Sequence, residues 1–172
     1  MGQVVSLTHD GRGVVKIDGK VWFIDGAIPG EMISFINTGR RKSYGLGRIE
    51  EVVTASPERV VPDCNYFGVC GGCSLQHIDV AAQLRLKEKL VIEQMSKIGG
   101  IDISDLRPPI ESPPWGYRRR ARLSVRLVPK KGGVLVGFRE KRKSYVTNLD
   151  LCMTLDRSCL LYTSELPTSD LV

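Results

Sequence analysis

The stretch Val15-Lys16-Ile17-Asp18-Gly19-Lys20-Val21-Trp22-Phe23 decides the fold of the first third of the chain. Two runs of β-branched and aromatic residues flank Asp-Gly. Glycine accepts the positive φ of a tight two-residue turn, so the sequence predicts a β-hairpin here. Working outward, residues 3–8, 13–18, 20–25, 31–38 and 45–53 are each rich in Val, Ile or Phe. Turn signals separate them at His9-Asp10-Gly11, Asp25-Gly26 and Pro29-Gly30. Five short strands within residues 1–56 predict a small closed barrel, because closure removes unpaired sheet edges.

Pro57 and Pro62 each remove a backbone donor and push the preceding residue toward extended geometry, so residues 57–63 read as a linker. After a cysteine-rich loop, residues 79–98 predict one helix. Asp79 can cap it, Val80, Leu84, Val91, Met95 and Ile98 recur at helical spacing, and Gly99-Gly100 ends it. The expected role of that stripe is core packing. A second proline-rich linker, Pro108-Pro109 to Pro113-Pro114, precedes a return to strand patterns. These run from Tyr117, through 134–139, and through 144–149, with a turn at 129–133.

Tyr117-Arg118-Arg119-Arg120-Ala121-Arg122-Leu123-Ser124-Val125-Arg126-Leu127 alternates along a strand. Ala121, Leu123, Val125 and Leu127 take one face, expected to pack on a core. Arg118, Arg120, Arg122, Ser124 and Arg126 take the other, expected to meet solvent or an anion. Guanidinium groups bind phosphate bidentately and stack on bases, so this face favours nucleic acid over a merely solvated edge. Lys141 and Arg142 extend the patch, and Arg40-Arg41-Lys42 is a weaker basic candidate.

The chain is 172 residues long with a formal net charge of +6. That length holds one domain or two small ones, and no apolar run reaches the roughly 20 residues a spanning helix needs. The start lacks the basic and apolar regions of a secretory signal, so the expected compartment is the cytoplasm. Residues 106–150 hold twelve basic against three acidic side chains, a net +9, while residues 1–63 balance to zero. The excess positive charge is therefore local, and points to an acidic partner, RNA before others. No membrane or protein partner is evident, and a monomer is expected.

The five cysteines are Cys64, Cys70, Cys73, Cys152 and Cys159. An odd count without a secretory signal disfavours a disulfide framework. Cys64-x5-Cys70-Gly71-Gly72-Cys73 packs three thiols into ten residues, with adjacent glycines inside the last pair, which suits a metal site with a tight backbone wrap. With His77 as fourth ligand the set is a Cys3His zinc site. With Cys152 it is a four-thiolate iron–sulfur site. A thioredoxin-like redox pair lacks its βαβ context, and spacing leaves zinc and iron–sulfur even.

Asp10-Gly11-Arg12-Gly13-Val14, Ile17-Asp18-Gly19-Lys20-Val21 and Gly26-Ala27-Ile28-Pro29-Gly30-Glu31 together resemble a TRAM domain, an OB-like RNA-binding barrel. Adding the Cys-x5-Cys-Gly-Gly-Cys loop with Leu75-Gln76-His77, the Arg118–Ser124 motif and the late Cys152, the chain resembles bacterial 23S rRNA uracil-5 methyltransferases of the RlmD type over roughly residues 1–153. The resemblance implies a fold that is mainly β with one helix. A five-stranded OB-like TRAM barrel (1–56) and linker (57–63) would lead into a small α+β central domain (64–154) with a cysteine-rich cluster loop. It further implies a 4Fe–4S cluster held by Cys64, Cys70, Cys73 and Cys152, a structural role for His77, and a grip on an rRNA stem-loop.

In that family S-adenosylmethionine binds a C-terminal Rossmann-like domain, where a cysteine attacks C6 of a flipped uracil. Only about 20 residues follow Cys152, too few for such a unit, so that domain is expected to be absent and the chain inactive alone. Met153 stands where the family has proline, and Cys159 matches no nucleophile motif and is given no catalytic role. The tail 155–172 has neither helical nor strand period and is expected to be irregular and foreign to the gene.

Overall fold

The computed structural model describes residues 1–131 and 133–159. They form a mainly β protein with one long helix. The chain divides into two compact units, one of residues 1–62 with 74–109, the other of residues 63–73 with 110 onward. Among the described residues no helix is long and apolar enough to cross a membrane.

In the first unit, β1 (Gly2–Leu7), β2 (Arg12–Ile17), β3 (Lys20–Asp25), β4 (Met32–Arg40) and β5 (Tyr44–Thr54) close a barrel in the order β1-β2-β3-β5-β4. The β2–β3 hairpin turns on Asp18 and Gly19, both at positive φ (49° and 72°), as an Asp-Gly two-residue turn requires. Strand alternation sends Val4, Val15, Trp22, Ile24 and Ile33 into the core, with the Phe35 ring tilted against Trp22 at 5.2 Å between centres.

The barrel floor is polar. Glu31 has 0% exposure, and its carboxylate accepts from Arg59 Nε (2.6 Å) and Nη2 (2.7 Å) and from the backbone N–H groups of Ile28 (2.9 Å) and Ser56 (3.3 Å). Arg59 Nη2 also donates to the Gly26 carbonyl at 2.8 Å. Arg59 pairs with Ile78, and Asp79 N–H donates to the Glu58 carbonyl, which sets the start of α1 (Val80–Lys97). The Asp79 carboxylate caps α1 by accepting from Ala81 and Ala82 N–H.

The helix corrects one expectation. Ala82 is its buried residue, packed with Ile28, Ile78, Leu75 and Leu86, while Val80, Val91, Met95 and Ile98 are exposed. The apolar stripe has the right period, but the barrel is small and only the first turns of α1 reach its base.

The second unit differs more from the sequence pattern. The ladder from Tyr117 is paired as a strand only over β6 (Ser124–Val128), against β7 (Gly133–Gly137). Val125 and Leu127, expected in a core, are 53% and 68% exposed. The reason is the fate of the chain after β7. Glu140 bridges Cys70 and Arg139 bridges Val146, and among the described residues no strand pairs with residues 119–123. Arg118 instead bridges Leu155. The expected strand at 144–149 runs antiparallel beside residues 136–140, with Glu140 N–H on the Tyr145 carbonyl (2.9 Å), Thr147 N–H on the Phe138 carbonyl (2.9 Å) and Leu149 N–H on the Val136 carbonyl (3.0 Å), although only Arg139 and Val146 form a bridge. Asn148 Oδ1 takes the Val136 N–H at 3.1 Å in place of a backbone carbonyl, and the segment presses the Thr147 carbonyl where a Gly137 side chain would be.

The units also cut the chain differently from the linkers. The helix goes with the barrel, and the cysteine loop separates from it to join residues 110 onward. Leu155, the first residue of the expected tail, is buried and bridges Arg118; residues 160–172 of that tail lie outside the described residues.

Burial alone would raise the pKa of Glu31. The Arg59 hydrogen bonds and charge and the two backbone donors outweigh it and hold the carboxyl below its ordinary value of 4.5. A depressed carboxyl pKa gives stability that is complete above the unfolded value and is lost as pH falls through the folded one. Glu31→Gln is therefore expected to cost roughly 2–4 kcal/mol at neutral pH, less than a fully buried pair because the Arg59 side chain is 25% exposed. Urea unfolding of both proteins checks this: the gap between them should shrink as pH falls below 4.5.

Candidate metal centre and nucleic-acid interface

Cys64, Cys70, Cys73 and Cys152 all belong to the second unit, and His77 belongs to the first. The cysteine loop is wound by Phe67 N–H to the Cys64 carbonyl (3.0 Å) and Cys70 N–H to the Tyr66 carbonyl (2.9 Å). It is then laid against residues 139–141 by Gly71 N–H to the Arg139 carbonyl and Lys141 N–H to the Val69 carbonyl, both 2.8 Å. A Cβ on Gly71 would stand 2.7 Å from the Arg139 oxygen, and one on Gly72 would stand 2.9 Å from the Phe138 ring. Close packing of two backbone segments therefore requires these glycines; neither needs a positive φ.

A second tie brings in the distant cysteine. Tyr66 Oη donates to Asp150 Oδ2 at 2.9 Å and accepts from Asp150 N–H at 3.3 Å. The residue two before Cys152 is thus fixed to the loop that carries Cys64 and Cys70. No disulfide joins any of the five cysteines. Cys70 and Cys152 are buried and Cys64 and Cys73 half-buried. Burial pushes the Cys70 thiol up; the Gly72 N–H opposes this, and charge on Cys73, Cys152 and Cys64 pushes it further up. Among the described residues no group of three or more His, Cys, Asp or Glu side chains is placed to hold a metal ion. The donor set still has the right chemistry for a soft metal centre: four unpaired thiols, two of them shielded from water, on one unit.

His77, the alternative zinc ligand, is buried in the barrel–helix unit, and its carbonyl accepts from Val60 N–H at 3.1 Å. Cys159 donates its thiol to the Arg119 carbonyl at 3.1 Å.

The basic side chains fall into three places. Arg120, Arg122 and Arg126 are exposed in the second unit, whereas Arg118 is half-buried, with its N–H on the Thr154 carbonyl at 2.9 Å. Lys141 and Arg142 lie on the turn after the cysteine-loop bridge, with Lys141 Nζ 4.8 Å from the Phe67 ring centre. Arg40, Arg41 and Lys42 are exposed at the tip between β4 and β5. Sequence reading missed the Glu31–Arg59 pair, the Tyr66–Asp150 tie and an aromatic pair on the barrel, Phe23 with Tyr44 at 5.4 Å. The signal for the last was present, since both residues are outward by strand alternation.

Comparison with known proteins gives a consistent picture. The chain is 47% identical over 153 residues to the 23S rRNA (uracil(1939)-C(5))-methyltransferase RlmD of Alkalilimnicola ehrlichii, a match covering 89% of this chain and 34% of that protein. It is 46% identical over 152 residues to the RlmD of Methylococcus capsulatus, covering 88% and 34%. The RlmD of Bordetella avium is 46% identical over 155 residues, covering 90% and 33%. No protein-family model matches. The crystal structure of Pyrococcus abyssi tRNA (uracil-54, C5)-methyltransferase in complex with S-adenosyl-L-homocysteine aligns with a TM-score of 0.62 at 22% identity, covering 96% of this chain and 35% of that one. That second likeness is one of fold. The chain spans about a third of the length of the curated relatives it matches.

Gly71→Ala should be far more damaging than its size suggests. The added carbon meets backbone, which cannot rotate away, so a loss of about 1–3 kcal/mol is expected in chemical denaturation. Gly68→Ala is the control for a loop glycine with open space around it, although its φ of 90° adds strain of its own. A Gly71→Ala protein as stable as the parent would show that the loop does not pack as described.

Proposed function

We propose, for a chain related in sequence to the RlmD-type 23S rRNA uracil-C5 methyltransferases over a third of their length, that it is the RNA-recognising and cluster-binding portion of such an enzyme. The observation that carries the reading is the match at 47% identity together with four unpaired cysteines in one compact unit. S-adenosylmethionine binding and methyl transfer are assigned to the two-thirds of the relatives' length that this chain does not match. The substrate is an rRNA stem-loop, bound by a monomer in the cytoplasm.

Cys64, Cys70, Cys73 and Cys152 are the proposed ligands of a 4Fe–4S cluster. Four thiolates at one centre supply a cross-link between the 64–73 loop and the segment at 152. The protein's own part is to aim them. The Tyr66–Asp150 hydrogen bonds hold the two segments together, and Gly71 and Gly72 let the loop lie flat on residues 138–140. The Gly72 N–H donates to Cys70 Sγ at 3.4 Å, a bond that favours the thiolate needed by any metal. Arg120, Arg122 and Arg126 supply exposed guanidinium groups for phosphate, and Lys141, Arg142 and Arg40-Arg41-Lys42 add further cations.

Anaerobic reconstitution with iron and sulfide should give a brown protein with broad absorption near ~400 nm, as thiolate-bound iron–sulfur centres do. Cys152→Ala should lose it and His77→Ala should keep it. A colourless protein holding zinc, indifferent to Cys152→Ala and emptied by His77→Ala, would overturn the ligand set.

RNA binding is tested by its salt dependence. Each phosphate contact removed from a single strand lowers the log–log slope by about 0.7, so Arg120→Ala with Arg122→Ala should reduce it by about 1.4. Arg118→Ala should change it less, because that residue is half-buried by its pairing with Leu155. An unchanged slope in the double variant would make the arginines a solvated edge only.

A further inference from the structure

Cys152 and Thr154 are both buried, at 8% and 4% exposure, and Thr154 Oγ1 lies 3.3 Å from Cys152 Sγ. The backbone around them leaves that hydroxyl little choice of place. Leu155 N–H donates to the Cys152 carbonyl at 3.2 Å, Gly116 N–H to the Met153 carbonyl at 2.8 Å and Arg118 N–H to the Thr154 carbonyl at 2.9 Å. All three carbonyls of the turn are thus held. A β-branched side chain has few χ1 positions open to it on a backbone fixed in this way. Between a thiol and a hydroxyl either atom can donate. A thiolate has no proton, so with Cys152 ionised the hydroxyl is the donor. The other sulfurs have different sources of compensation. Cys64 and Cys73 are only half-buried and can meet water, and Cys70 Sγ accepts from Gly72 N–H at 3.4 Å.

We propose that Thr154 is a positioning residue for the metal centre: its hydroxyl donates to the Cys152 thiolate and raises the reduction potential of an iron–sulfur cluster held there. The inference rests on the reading of Cys152 as the fourth ligand, and adds a residue that touches no metal itself. A donor aimed at a ligating sulfur stabilises the negative charge on it. The reduced centre carries one more negative charge than the oxidised one, so the donor favours the reduced form. If Thr154 served packing alone, a methyl in place of the hydroxyl would do equally well. A second threonine of the same unit supplies the contrast. Thr147 is also buried, at 8% exposure, but among the described residues its Oγ1 has no hydrogen-bond partner. Burial of a threonine in this unit therefore does not by itself bring a partner for the hydroxyl, whereas at Thr154 the partner is a sulfur.

Thr154→Val exchanges the hydroxyl for a methyl of similar size. The full chain carrying it, reconstituted anaerobically with iron and sulfide, should take up the parental amount of iron. Its reduction potential, followed by visible absorption during a dithionite titration, should move to more negative values than the parent's. Thr154→Ser returns the hydroxyl and should return the potential. Thr147→Val makes the same exchange at the unpartnered threonine and should leave the potential where it was. If Thr154→Val unfolds, Thr154→Ala carries the measurement. A loaded Val or Ala variant at the parental potential, or a Ser variant that stays with Val, overturns the role of Thr154 while leaving the four-cysteine ligand set intact. Val and Ala variants that fold but take up no iron, beside a Ser variant that loads fully, support it, since the hydroxyl is then needed to hold the thiolate at all. A parent that takes up no cluster, or a Cys152→Ala protein that still loads one, overturns the ligand set and the role of Thr154 together.

Discussion

A carboxylate with no water around it must find substitutes for water, and the first unit is arranged around Glu31 doing so. Two nitrogens of Arg59 and two backbone N–H groups surround it. Each substitute fixes a different piece of chain. Ile28 belongs to the turn between β3 and β4, Ser56 to the exit from β5, and Arg59 to the segment that pairs with Ile78. From Ile78 it is one residue to the helix cap. The barrel's closure and the helix's docking are thus consequences of one desolvated charge, since leaving it without any of these donors would cost several kcal/mol.

That centre was invisible to a sequence reading, which saw Pro29-Gly30 as a turn, Glu31 as the first residue of a strand and residues 57–63 as a linker. What was legible was local. Asp18-Gly19 forces its own turn, Asp79 caps the next residues in line, and alternation inside β1 to β5 reports faces that the barrel does bury. What failed was alternation without a partner. The Arg118 to Leu127 run has the period of a strand, yet a strand needs a neighbour, and β7 turns into the cysteine-loop bridge after Gly137. The helix stripe failed for the same reason: period says which residues share a face, not whether another element covers it.

The glycines of the cysteine loop show how a motif can be read for the wrong cause. The paired glycines suggest freedom to wrap around a centre. Their actual demand is steric, because the loop lies flat on residues 138–140 with no room for a Cβ. The consequence is stronger than wrapping. A loop locked to β7's extension and tied through Tyr66 to Asp150 brings residues 84 positions apart into one frame. Cys152 lies two residues beyond that tie, at the start of a tight turn closed by Leu155 N–H on the Cys152 carbonyl.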